Sequence, residues 1–168
     1  RQSKLGEQDF IVEKHISGKD YRIVVIGDEV VAAILRDPAS VVGDGVHNVA
    51  ELIVRKNATR RLNPHLWGRP ILYDPAARYQ LAREGLTLES VPPAGERVLL
   101  SNSCSLSQGG DSVDVLDELH PSVRQACVAA VKAIPGLAFC GVDFLLEDHR
   151  KPLSEQEGGI CELNAHAA

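Results

Sequence analysis

The sequence predicts an α+β fold, with a largely antiparallel sheet flanked by helices. Three observations point to it. Two β-branched runs, YRIVVI and EVVAAILR, flank Gly27-Asp28, a common two-residue hairpin connection. Two further apolar runs, LAFCGVDFLL and GGICELN, are separated by the polar stretch DHRKPLSEQE. Two segments carry helix-start signals: Asn48 with Glu51 three residues on, and His120 followed by Pro121.

The elements follow in order. FIVEK, residues 10–14, alternates weakly and reads as a strand, with Gly18 as the break after it. Residues 20–36 form the first hairpin, and Asp37-Pro38 ends its second strand. VVGDGVHN reads as a turn-rich loop. The Asn48–Glu51 capping box opens a helix through about residue 57. Residues 58–95 read as irregular, apart from a short helical stretch near 76–84. ERVLL, residues 96–100, is a short strand, and SNSCSLSQGGDS is a polar, glycine-containing loop. In HPSVRQACVAAVKAI, Val123, Cys127, Ala130, Val131 and Ile134 recur at helical spacing, which predicts a helix with one buried face.

Composition narrows the function classes. The chain has 168 residues, 44% hydrophobic and 24% charged, enough for a packed core and against disorder. Its net charge is −5, with Lys and Arg scattered rather than gathered on a basic face, so nucleic acid is not the expected partner. No apolar run has the length of a membrane span and no signal peptide opens the sequence, so the expected location is cytoplasmic. Cys104, Cys127, Cys140 and Cys161 form no CxxC pair and read as reduced, mostly buried thiols. The sequence contains no methionine and begins with Arg1, and reads as a piece of something longer.

The last two strands carry the chemistry. Glu162 and Asn164 stand two apart and share a strand face. Asp143 lies in the middle of an apolar strand, where a lone carboxylate is costly without compensation. If the two strands pair, Asp143 and Glu162 meet, and like charges that meet need a cation between them or a raised pKa. An oxygen-rich set of Asp143, Glu162 and Asn164 suits Mg²⁺. An ordinary solvated sheet face accounts for the same residues.

The ordered blocks FIVEKHISGKDYRIVVI, EVVAAILRDPASVVGDGVHNVAELI, GLTLESVPPAGERVLL, NSCSLSQGGDSVDVLDELHP, GVDFLL and ICELN resemble the C-terminal half of an ATP-grasp ligase. The resemblance is to cyanophycin synthetases and to the ATP-grasp part of bifunctional γ-glutamylcysteine/glutathione synthetases, and it covers nearly the whole of residues 1–168. It implies an ATP-grasp C-terminal subdomain and ATP-dependent formation of an amide bond through an acylphosphate, from amino-acid or peptide substrates. It implies ATP and Mg²⁺, with Mn²⁺ as an alternative, and is compatible with a homo-oligomer.

The resemblance also implies roles for individual residues. Asp143, Glu162 and Asn164 fall on metal ligands, with Glu162 bridging two ions. Glu13, Lys14 and Ile16 fall on the hinge that meets adenine, Lys14 and Ile16 through their backbone. Asp20 falls on the acid that binds the ribose hydroxyls. Arg22 and Arg36 lie on facing strands of the first hairpin, and Arg36 is the better candidate for contact with phosphate or acylphosphate. SLSQGG, residues 105–110, resembles a loop that shapes the acceptor pocket, its glycines letting backbone approach a ligand.

Three departures qualify the expectation. The half of the grasp that supplies phosphate-binding lysines and a glycine-rich loop is not in these residues, so the piece alone is expected to be inactive. After Asn164 the chain reads Ala165-His166-Ala167-Ala168, without the usual Pro-Gly. Gly141 stands where D-alanine–D-alanine ligases carry an arginine. Two other readings stay open on the residues alone: a non-catalytic binding module derived from the grasp fold, and a metal-dependent phosphohydrolase using Asp143 and Glu162.

Overall fold

The computed structural model describes residues 14–165. The strand expected at 10–14 and the hinge residue Glu13 lie almost wholly, and wholly, outside them. Seven strands and three α-helices occur among the described residues. In chain order they are β1 (Lys19–Ile26), β2 (Glu29–Asp37), β3 (Ser40–Val42), α1 (Val49–Arg60), α2 (Pro75–Arg83), β4 (Arg97–Leu99), β5 (Asp111–Asp114), α3 (Pro121–Lys132), β6 (Phe139–Leu146) and β7 (Gly158–Asn164). Five strands form one sheet in the order β5-β2-β1-β6-β7, every neighbouring pair antiparallel. The remaining two, β3 and β4, pair with each other.

The large sheet has two unlike faces because its strands alternate. Tyr21, Ile23 and Val25 of β1 are fully buried, and Cys140, Val142, Phe144 and Leu146 of β6 join them. α3 covers this face with Val123, Cys127 and Val131. Ile134, expected on the same stripe, is exposed because the helix ends at Lys132. The opposite face carries Asp20, Arg22 and Val24 of β1, all partly buried. A second core forms between α1, α2, β3 and β4, from residues such as Val41, Val49, Ile53, Leu81 and Val98. Much of the stretch read as irregular is therefore a small lobe of its own. Its strands have three residues each, too short to show a period of two.

The expected helix starts are present. Asn48 accepts from the Glu51 backbone N–H at 2.9 Å, and the Glu51 carboxylate accepts from the Asn48 N–H at 2.9 Å. Such a reciprocal pair satisfies two otherwise orphaned donors. Asp74 caps α2 through the Ala77 N–H at 2.9 Å, with Pro75 at its first position. Gly27 holds φ at +58° in the first hairpin turn, a conformation open to glycine at little cost. The thiols divide evenly rather than being mostly buried: Cys127 and Cys140 are buried, Cys104 is partly exposed and Cys161 is exposed.

His149 is buried beside the sheet's inner face. Its Nδ1 lies 3.2 Å from the Tyr21 hydroxyl, while its Nε2 has no hydrogen-bond partner among the described residues. Burial pushes its pKa below the ordinary 6.5. The native state thus favours the neutral ring, and the unfolded chain takes up the proton first as pH falls. Stability from this group is complete above pH 6.5 and declines below it. The urea midpoint should fall between about pH 7.5 and pH 5, and His149→Phe should flatten that decline. A midpoint equally pH-dependent in the variant would remove His149 as the cause.

Candidate functional site

The polar face of the large sheet gathers charge around one carboxylate. Asp143 of β6 is in register with Arg22 of β1 on one side and Glu162 of β7 on the other. Arg22 donates from Nε to Asp143 Oδ1 at 2.6 Å and from Nη2 to Oδ2 at 3.1 Å, a two-pronged pair. Arg36 of β2 reaches across and donates from Nη2 to the same Oδ1 at 3.0 Å. Its Nη1 lies 3.4 Å from both oxygens of Asp20, its register partner on β1. Asn164 donates from Nδ2 to Asp143 Oδ2 at 3.2 Å.

This geometry corrects one step of the sequence reading. Asp143 is 15% exposed, and its charge is balanced by two guanidiniums. A cation between Asp143 and Glu162 is therefore not required for the carboxylate to lie there. The signal was in the sequence: Arg22 is two residues from Asp20 on one strand, and Arg36 lies on the facing strand of the hairpin.

The residues still fit a divalent cation. Asp143 and Glu162 stand opposite each other on neighbouring strands, Glu162 is exposed, and Asn164 is held beside Asp143. That is a set of hard oxygen donors with one carboxylate open to solvent. Among the described residues no group of three His, Cys, Asp or Glu converges, so the third oxygen here is the carboxamide of Asn164.

The hinge expectation falls on the segment before β1. Ile16 packs over β7: its Cδ1 lies 2.7 Å from where a Cβ would stand on Gly159. Lys14 is exposed and pairs with Glu157 at 3.1 Å. Asp20 belongs to the arginine cluster and lines a cavity of about 460 Å³ with Arg36, Arg69 and the serines of residues 103–107.

The serine–glycine loop is built differently from the expectation that its glycines make room for a ligand. A Cβ on Gly109 would lie 2.8 Å from the Cα of Ile71, and Gly109 holds φ at +87°. A Cβ on Gly110 would lie 2.9 Å from the Ser105 carbonyl oxygen and 3.0 Å from that of Asp37. Protein backbone already fills that space. Sequence reasoning also missed what ties the loop down. Arg60 of α1, only 4% exposed, donates to the carbonyls of Gly110 at 3.1 Å and Arg69 at 2.9 Å, and pairs with Asp111. Lys56, one turn earlier, pairs with Asp111 as well. The Lys56/Arg60 spacing on one helix face was the available clue.

Comparison with known proteins gives this face a context. No protein-family model matches the chain. It is 39% identical over 162 residues to the glutathione biosynthesis bifunctional protein GshAB of Mannheimia succiniciproducens, covering 94% of this chain and 21% of that protein. It is 38% identical over 160 residues to the cyanophycin synthetase of Nostoc sp., covering 94% of this chain and 18% of that protein. The crystal structure of a bifunctional glutathione synthetase from Pasteurella multocida superimposes with a TM-score of 0.78 at 36% identity, over 92% of this chain and 22% of the other. The chain thus spans about a fifth of the length of the relatives it matches. The fold is α+β and of the ATP-grasp kind, as the sequence blocks implied.

Asp143 and Glu162 should separate in a stability measurement. Asp143→Asn keeps the shape but leaves two partly buried guanidiniums without their shared anion. It should cost about 1–3 kcal/mol by denaturant unfolding. Glu162→Gln, on an exposed carboxylate, should stay within about 0.5 kcal/mol of the parent. Equal losses in the two variants would show that Asp143 is not the hub of the cluster.

Proposed function

From its homology with part of the ATP-grasp ligases, over 94% of its length, we propose that residues 1–168 are the C-terminal, nucleotide-hinge and metal-binding part of an ATP-dependent carboxylate–amine ligase. The convergence of Asp20, Arg22, Arg36, Asp143 and Asn164 on one sheet face supports this most directly. The substrates are ATP and amino-acid or peptide molecules that offer a carboxylate and an amine.

Each residue has a physical task in this reading. Arg22 and Arg36 present guanidinium N–H groups to phosphoryl oxygens, and Asp143 holds both in place so that little reorganisation accompanies binding. Asp20 accepts the ribose hydroxyls. Glu13, Lys14 and Ile16 line the adenine hinge. Asp143, Glu162 and Asn164 hold Mg²⁺ or Mn²⁺, which when bound supplies charge neutralisation on the phosphates. In this reading the carboxylate of one substrate takes the γ-phosphoryl group of ATP and ADP leaves; the amine of the other then attacks the acylphosphate carbonyl, loses a proton and displaces phosphate to give the amide. The second wall of the cleft lies outside these residues, and catalysis needs both walls to fix the reactants and exclude water.

Calorimetric titration of the 168-residue chain with ATP and Mg²⁺ should give binding no tighter than about millimolar, worth about 4 kcal/mol, with no phosphate released on adding amino acids. In a longer ligase carrying this part, Asp20→Ala should raise the KM for ATP by a factor corresponding to roughly 1.5–3 kcal/mol, with the amino-acid KM unchanged. Glu162→Gln should abolish amide formation there. Full ligation by Glu162→Gln, or an unaltered ATP KM in Asp20→Ala, would overturn these assignments.

A further inference from the structure

Arg69 is an unusual cation. It is exposed on the segment between α1 and α2, and it lines two cavities at once. One is the 460 Å³ space beside Asp20. The other, of about 300 Å³, is walled by Arg22, Arg36 and His65 on its polar side and by Val24, Ile34 and Leu106 among its apolar residues. Of the two arginines on the sheet, Arg22 pairs with Asp143 and Arg36 is shared between Asp143 and Asp20. Arg69 has no carboxylate partner among the described residues. Its guanidinium makes one hydrogen bond, to His65 Nε2 at 3.4 Å.

The backbone beneath this side chain is held firmly. The Arg69 carbonyl accepts from the buried Arg60 at 3.2 and 2.9 Å. Two residues on, the Ile71 N–H donates to Asn57 Oδ1 at 2.8 Å, and the Ile71 carbonyl accepts from Asn57 Nδ2 at 2.9 Å. Four hydrogen bonds from α1 thus fix a short segment whose one charged head is left facing shared cavity space. A cation on a fixed backbone, without a carboxylate partner among the described residues and at the rim of a cavity with an apolar wall, is complementary to an acyl chain ending in a carboxylate.

We propose that Arg69 is a specificity-determining residue: it binds a non-reacting carboxylate of the amino-acid or peptide substrate, whose aliphatic part lies against Val24, Ile34 and Leu106. What the carboxylate belongs to rests on the ligase reading above; the anion site itself does not. The apolar wall favours a carboxylate on a short hydrocarbon chain over inorganic phosphate, which has nothing to place there.

The test uses glutarate as the probe and NMR spectra of the 168-residue chain, where weak binding is measurable. Glutarate should shift the Arg69 Nε–Hε signal and the amides of residues 65–69, 71 and 105–107. The neutral diamide of the same length should not. Arg69→Gln should weaken glutarate at least fivefold with the remaining spectrum unchanged, and Arg69→Lys should retain part of the affinity. Equal glutarate binding by the parent and Arg69→Gln would overturn the proposal. So would shifts that map elsewhere, or phosphate binding at Arg69 more tightly than glutarate. The ligase reading is tested separately, by Asp20→Ala and Glu162→Gln in a longer ligase carrying this part. If the ATP KM and amide formation ignore both substitutions while the Arg69-dependent glutarate shifts persist in the 168-residue chain, the carboxylate site stands and the ligase reading falls.

Discussion

One carboxylate organises the polar half of this molecule. Asp143 takes hydrogen bonds from Arg22, Arg36 and Asn164, and so links three neighbouring strands of the sheet with the hairpin partner β7. Two guanidiniums brought this near each other on a partly buried surface would repel, and each would lose hydration. A shared anion between them reverses the sign of that interaction. The cluster adds little to the folding driving force, which comes from the inner face and its helix α3. Its contribution is orientation: the planar guanidinium forks are set before any ligand arrives.

Around this face the protein has two cores rather than one. The sheet packs on α3, while α1 and α2 pack on β3 and β4. Apolar surface does not fuse the two clusters. Ion pairs and carbonyl contacts join them, chiefly through Lys56 and Arg60 reaching Asp111 at the sheet's edge. A join of this kind is directional. It fixes where the small lobe stands against β5 and carries the segment holding His65 and Arg69 over the sheet's polar face.

The parts legible from sequence were those governed by short-range rules. Gly27-Asp28 marks a hairpin because the turn needs a positive φ, and Asn48 with Glu51 marks a helix start because the cap is local. The pairing of Asp143 with Glu162 followed from two apolar runs and one polar turn. The parts that escaped depend on contacts far apart in the chain or on single extra residues. In β2, Val31 is an extra residue that shifts the register between Val24 and Val25. Without it, the Ile26–Glu29 register would carry on to set Arg36 opposite Lys19, on the inward-facing phase of β1. With it, Arg36 meets Asp20. Cys161 does the same in β7, so that Ile160 rather than Cys161 stands opposite Phe144. A period of two read along the sequence cannot register such slips. The Arg22–Asp143 register contains no slip, whereas the place of Arg36 beside Asp20 and Asp143 depends on the one in β2.

The glycines of the serine loop carry a consequence for recognition. Because Ile71 and the carbonyls of Ser105 and Asp37 fill the space a side chain would take, the loop is clamped at Gly109 and Gly110 by the protein itself. Ordering a free loop around a ligand typically sacrifices conformational entropy residue by residue. Here that entropy has been surrendered once, during folding. A molecule entering beside Leu106 meets a wall already set, and loses chiefly its own freedom of movement. Discrimination between close analogues then rests on fit to a fixed outline, since the wall has little latitude to remould itself around the wrong one.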